Sequence, residues 1–156
     1  IGSVLDHLSD CKNVLDLFSG VGTFALSLAE KRVQVTAFDG DEAAITSLKS
    51  AVNRSAGRIN MSANTRDLER RPLAAPDFKG IDAVVLDPPR AGAKSQCEAL
   101  ASSGIGKIAY VSCNPGTFAR DARTLVDGGY ELISVAPINQ FPWSSHVELI
   151  GRFARS

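Results

Sequence analysis

Three short runs of this chain carry side chains that can make and break covalent bonds at carbon. A thiol, Cys113, stands in Val111-Ser112-Cys113-Asn114-Pro115, where an apolar stretch gives way to an Asn-Pro pair of the kind that opens a helix. A carboxylate, Asp87, heads Asp87-Pro88-Pro89-Arg90 at the end of the preceding apolar run. A second carboxylate, Glu148, lies late in the chain in Ser145-His146-Val147-Glu148. A thiolate is a nucleophile and a carboxylate is a base, so the set suits covalent catalysis in which one group adds to a substrate and another moves a proton.

Each residue also has a plainer reading. Cysteine in an apolar strand often serves as a small buried hydrophobe. The helix start after Cys113 favours the thiolate form, whereas Cys11 and Cys97 lack such surroundings and read as structural. Pro88 and Pro89 stiffen the chain and so hold Asp87 in place. Asp87 can face a cofactor, a substrate or both, and Arg90 can bind phosphate, pair with a carboxylate or stay solvated. Glu148 and His146 share one face of an alternating strand, where they can pair or simply meet solvent.

A fourth run lies near the start. Asp16-Leu17-Phe18-Ser19-Gly20-Val21-Gly22-Thr23 follows an apolar run and opens a helix, so backbone can approach a ligand there without a side chain in the way. With Ala25 at the third small-residue position, the pattern alone admits a nicotinamide dinucleotide. Asp39, at the end of the next apolar run, suits ribose hydroxyls. Acidic residues at Asp16 and Asp39 fit S-adenosylmethionine, which has a ribose and a cationic sulfonium but no pyrophosphate. Asp67, after a third run, is placed to accept from an adenine amino group, or is a loop carboxylate.

These positions need a scaffold that brings strand ends together. Apolar runs alternating with helical patterns predict a parallel sheet covered on both faces. Strands are expected at Asn13 to Phe18, Val33 to Phe38, Ile59 to Asn64, Ile81 to Leu86 and Lys107 to Ser112. Helices are expected at Thr23 to Glu30, Asp41 to Ala56, Ser95 to Ser102 and Pro115 to Val126. Glu69 to Lys79 reads as a loop with little helix. Tyr130 to Pro137 and His146 to Phe153 follow one another without a helix, which predicts an antiparallel pair at one side of a seven-stranded sheet.

Composition sets outer bounds. A chain of 156 residues, 44% hydrophobic and 22% charged, fits one domain. No apolar run approaches the roughly 20 residues that cross a bilayer. Three cysteines without a close pair support neither a disulfide framework nor a metal site, and no signal peptide is evident, so a cytoplasmic protein is expected. With 17 basic and 17 acidic side chains the net charge is zero, which argues against a broad electrostatic footprint for nucleic acid.

Taken in order, Asp16 to Phe24, Asp87 to Arg90, Ser112 to Pro115 with Ala119-Arg120-Asp121 beyond, and His146-Val147-Glu148 resemble the catalytic domain of the RNA uracil-5-methyltransferases that use S-adenosyl-L-methionine. The resemblance covers almost the whole chain. It implies a class I methyltransferase fold, Rossmann-like α/β, over residues 1–156. It also implies Cys113 as nucleophile, Glu148 as base, and cofactor contacts from Phe18, Asp39, Asp67 and Asp87 and from the Gly20-Gly22-Thr23 turn, with no metal. The expected partner is RNA, ribosomal before transfer RNA, presenting a loop uridine. Phe141, Pro142 and Trp143 can line the base pocket or pack at a chain reversal. Asn139 stands where the family commonly has aspartate. The family's N-terminal RNA-binding barrel has no counterpart in these residues, so a fragment is expected. An amino-methyltransferase built on Asp87-Pro88-Pro89, and a cofactor-binding module without activity, remain alternative readings.

Overall fold

The computed structural model describes residues 1–138 and 148–155. In chain order the elements are α1 (Gly2–His7), β1 (Asn13–Leu17), α2 (Thr23–Glu30), β2 (Gln34–Asp39), α3 (Glu42–Arg54), β3 (Met61–Thr65), a short 3-10 turn (Ala75–Phe78), β4 (Ala83–Leu86), α4 (Lys94–Ala101), β5 (Lys107–Ser112), α5 (Pro115–Asp127), β6 (Glu131–Ile138) and β7 (Glu148–Ala154). Each expected strand and helix is present, with ends displaced by a few residues at most. One element has no counterpart among the expected ones: α1, at the N-terminus. Val4 and Leu8, one helical turn apart, are both fully buried, and that pairing holds the short helix against the core.

The seven strands lie in the order β3-β2-β1-β4-β5-β7-β6. The first five are parallel, and β7 runs antiparallel to both β5 and β6. All four residues of β4 are buried, as a central strand covered on both faces demands. From β1 the chain winds outward through β2 and β3, then returns to β4 on the other side of β1. The crevice beyond the carboxyl ends of β1 and β4 is therefore the switch point, where open α/β sheets bind ligands.

Two apolar layers fix the sheet in place. On one face Val4, Leu8, Leu28, Ile45 and Leu48 from α1, α2 and α3 pack over Val14, Val35, Val85, Val111 and Ile150. On the other, Cys97, Leu100, Phe118 and Leu125 from α4 and α5 pack over Leu17, Leu86, Tyr110 and Phe153. Caps define the helix starts. Asp41 accepts from the amides of Ala43 and Ala44 at 2.8 and 3.2 Å, and Asn114 from those of Gly116 and Thr117 at 2.9 and 3.4 Å. Such a cap contributes about 1 kcal/mol and sets where a helix begins. No helix among the described residues is long and apolar enough to cross a membrane.

Candidate active site

Strand alternation decides which side chains can meet. Val85, Val111, Ala37 and Ile150 all face the α1–α3 layer, while Leu15 and Leu17 face the opposite one. Counting by two along each strand, Asp16, Asp39, Asp87, Cys113 and Glu148 all fall in the phase of the α1–α3 face. Four of them stand at or just past the carboxyl ends of β1, β2, β4 and β5. Glu148 joins them because β7 runs the other way, so that its first residue meets the ends of the parallel strands.

The glycine turn after β1 is built for close approach. Phe18, Gly20 and Gly22 have φ of 62°, 52° and 88°. At Gly22 a Cβ would stand 2.5 Å from Leu48 Cδ1 in the core, so this position requires glycine on both backbone and packing grounds. The turn binds β2 directly: Gly20 N–H donates to Asp39 Oδ2 at 2.7 Å, and Asp41 N–H to Asp39 Oδ1 at 2.7 Å. Each oxygen keeps a lone pair for a further donor, and the carboxylate is held still. Thr23, the first residue of α2, is exposed beside the turn.

Beneath the turn, Asp16 is fully buried. Its Oδ2 accepts from Ala25 N–H at 2.9 Å. Among the described residues its Oδ1 and the hydroxyl of Ser19 are buried without a hydrogen-bond partner. Desolvation pushes the Asp16 carboxyl up to about 8; the Ala25 amide opposes the rise, and the charges of Asp87 and Asp39 add to it. Unmet buried oxygens cost about 1–3 kcal/mol each unless a ligand or water satisfies them. Polar demand and acidic surroundings together suit a ligand with a cationic end, as S-adenosylmethionine has.

Asp87 follows β4, its amide donating to Leu17 O at 3.2 Å. The residue keeps an open side to solvent. Its carboxyl nevertheless sits in a recess where protein displaces part of its hydration, and this, with the charge of Glu148 second, pushes it up to about 6. The open side makes the desolvation partial. Asp67 lies beside the Asp39 turn, since Arg66 N–H donates to Asp39 O at 2.8 Å. Its Oδ1 accepts from the amides of Glu69 and Arg70, both at 3.1 Å, and its Oδ2 lies 3.6 Å from Arg70 Nε. The carboxylate is thus partly committed to its own turn. Phe18 packs toward Leu68 and lines a pocket of about 190 Å³ with the Ala91–Gln96 segment.

Cys113 occupies the single step between β5 and the Asn114 cap of α5 and is partly exposed. Ser112 Oγ accepts from Asn114 N–H and donates to Asn114 O, both at 3.1 Å, which closes a tight turn around the thiol. The last β5–β7 pair is Ser112 with Leu149, so one more step along both strands sets Cys113 opposite Glu148. Cys11 and Cys97 are buried, and burial pushes both thiols up, Cys11 to about 11. Asn139, Phe141, Pro142, Trp143 and His146 lie outside the described residues.

One buried group belongs to the Ala119-Arg120-Asp121 run, to which the sequence assigned no role. Asp121 on α5 is wholly buried and binds the loop that follows Asp87. Asn114, Thr117 and Asp121 recur at i, i+3 and i+7, a polar line on a helix face that also buries Phe118, and that recurrence is a signal beside the motif itself.

Residues 3–153 match the model of the tRNA (uracil-5-)-methyltransferase family. An uncharacterized RNA methyltransferase of Rhizobium meliloti is 50% identical over 147 residues, 94% of this chain and 35% of its own length. The 23S rRNA (uracil(1939)-C(5))-methyltransferase RlmD of Chromohalobacter salexigens is 40% identical over 137 residues, 88% of this chain and 28% of its own. The crystal structure of Pyrococcus abyssi tRNA (uracil-54, C5)-methyltransferase with S-adenosyl-L-homocysteine superposes with a TM-score of 0.82 at 33% identity, over 97% of this chain and 37% of that one. The chain spans about a third of the length of such relatives.

Proposed function

Because the chain belongs to the tRNA (uracil-5-)-methyltransferase family, we propose that it transfers a methyl group from S-adenosylmethionine to carbon 5 of a uridine in RNA through a covalent adduct on Cys113. The observation that supports this most is the shared strand phase of Asp16, Asp39, Asp87, Cys113 and Glu148 at the switch point. Nucleophile, base and cofactor-facing carboxylates then open on one crevice.

S-adenosylmethionine, when bound, supplies an electrophilic methyl group on a cationic sulfur. Asp39 receives the ribose hydroxyls, Asp67 the adenine side and Asp87 the methionine end, while Phe18 and the Gly20-Gly22-Thr23 turn line the approach. Carbon 5 of uracil is a poor nucleophile. Addition of the Cys113 thiolate at carbon 6 forms a sulfur–carbon bond and moves the π electrons toward carbon 5 and the O4 enolate, which makes carbon 5 reactive. Once carbon 5 carries the methyl group, the Glu148 carboxylate accepts its proton. The electron pair released restores the double bond and expels the thiolate. The uridine must leave its stack to reach the thiol, at a cost of a few kcal/mol, which favours a loop target.

The decisive experiment incubates ribosomal and transfer RNA with S-adenosylmethionine and identifies the product nucleoside by mass spectrometry. The expected product is 5-methyluridine, formed first on ribosomal RNA and abolished by Cys113→Ala. A Cys113→Ala protein that methylates at the wild-type rate ends the covalent reading. Methyl on an exocyclic nitrogen would instead mark an amino-methyltransferase, and cofactor binding without turnover a binding module.

A further inference from the structure

We infer that Arg120 and Asp121 act as a positioning pair: by gripping the backbone of residues 91–93 they hold the Asp87 loop in register with Cys113. The inference rests on the functional reading above. Neighbours at i and i+1 on a helix do not face each other. Here the Arg120 fork nevertheless folds over Asp121, with Nε and Nη2 at 2.8 and 2.7 Å from Oδ1. What draws them together is the loop between them and the site. Arg120 Nη2 donates to Ala91 O at 3.0 Å, and Asp121 Oδ2 accepts from Ala93 N–H at 2.7 Å.

The rest of α5 makes the grip continuous. Asn114 Nδ2 and Thr117 Oγ1 donate to Arg90 O at 3.2 and 3.1 Å. Three of four consecutive residues, Arg90, Ala91 and Ala93, are therefore tied to the helix whose cap, Asn114, follows Cys113 directly. Gly92, with φ of 80°, lets the loop come this near: a Cβ there would stand 2.5 Å from Asp121 Oδ2 and 2.6 Å from Arg120 Nη2. Tyr110 anchors the pair to the sheet by donating to Asp121 Oδ2 at 2.6 Å. Burial, then the bond to Asp121, pushes the Tyr110 hydroxyl up, so it stays a donor.

Between this grip and the site lies only Asp87-Pro88-Pro89, and the two prolines leave little slack. Displacement of the loop is therefore passed to the Asp87 carboxylate, whereas the Asp39 and Gly20 side of the crevice is held by separate bonds. Loss of the pair should slow chemistry more than it weakens cofactor binding. A misplacement of about 1 Å costs on the order of 100-fold in rate.

The test compares wild type with Arg120→Gln, Arg120→Lys and Asp121→Asn for kcat, KM for S-adenosylmethionine, melting temperature and amide exchange at Gly92 and Ala93. The expected result for Arg120→Gln is a kcat lower by roughly 100-fold per folded molecule, a KM within about threefold, and exchange faster by about tenfold, the worth of one hydrogen bond. Arg120→Lys, which can still reach one of the two acceptors, should recover part of the rate. An unchanged kcat, a loss that merely follows the unfolded fraction, or a KM that rises as much as kcat falls overturns the inference. Exchange reads the grip without any turnover: if wild type makes no 5-methyluridine, the functional reading fails by itself, and unchanged exchange in Arg120→Gln then also refutes the grip. Should Asp121→Asn fail to fold, Thr117→Val, which removes one bond to Arg90 O, must show the same split in smaller degree.

Discussion

The Asp87 carboxyl lies within the field of Glu148, and that charge adds to partial desolvation in raising its pKa to about 6. If Asp87 receives the cationic end of S-adenosylmethionine, only its ionised form attracts it. Protonation below pH 6 removes that attraction, so affinity should fall as pH drops from 7 to 5. Glu148→Gln removes the second cause of the upward shift and should move the midpoint of that fall to lower pH, and Asp87→Asn should abolish it. Calorimetric titration of S-adenosylmethionine across this range checks all three, and a Glu148→Gln midpoint that moves upward contradicts the arrangement.

Glu148 has a separate role after addition. With the thiol bonded to carbon 6 and no base to take the carbon 5 proton, elimination stalls. Glu148→Gln should therefore accumulate a protein–RNA adduct that survives denaturing electrophoresis, while the double variant with Cys113→Ala should show none. A Glu148→Gln protein that turns over freely without a retarded band would place the base elsewhere.

The strands and helices were legible because apolar runs and Asn, Asp, Gly and Pro punctuation follow local rules, and the antiparallel pair followed from the lack of a helical sequence pattern between the last two apolar runs. Cys113, Asp87 and Glu148 were legible as strand-end residues, but their common face was not. That face depends on the phase of five separate strands, which the β1–β2, β1–β4, β4–β5 and β5–β7 registers connect. Helix α1 was missed because six residues held by Val4 and Leu8 give too short a period to read. Asp16 was legible as an acid near a ligand, yet its burial beneath the turn, with one oxygen on Ala25, is set by how α2 docks. The link from Asp121 to Ala93 spans 28 residues and has no local signature.

Gly22 tests whether the turn after β1 serves binding as well as folding. Alanine there meets both a left-handed φ of 88° and Leu48 Cδ1 at 2.5 Å. The backbone conflict costs about 1–2 kcal/mol. Because the strain falls on the segment that positions Gly20 N–H on Asp39, and the added Cβ presses on buried Leu48, Gly22→Ala should lower the melting temperature and also weaken S-adenosylmethionine binding by more than tenfold in the molecules that stay folded. Calorimetry and thermal melting on the same preparation separate the two effects, and unchanged affinity with lowered stability would confine the turn to a folding role.

Asp16 makes a prediction about stability. Its carboxyl is raised from 3.8 to about 8 in the folded protein, with burial the largest cause. Between those values the folded state holds a proton that the unfolded state has released. Stability from this group is therefore fully present below pH 4 and is lost as pH rises through 8, by about 1.4 kcal/mol per unit between the two. Asp16→Asn keeps an oxygen for Ala25 N–H and cannot ionise. Denaturant unfolding at pH 6, 7 and 8 should show wild type losing stability relative to Asp16→Asn across the series. Parallel curves would mean that Asp16 is ionised when folded, with a water or cation meeting its buried Oδ1.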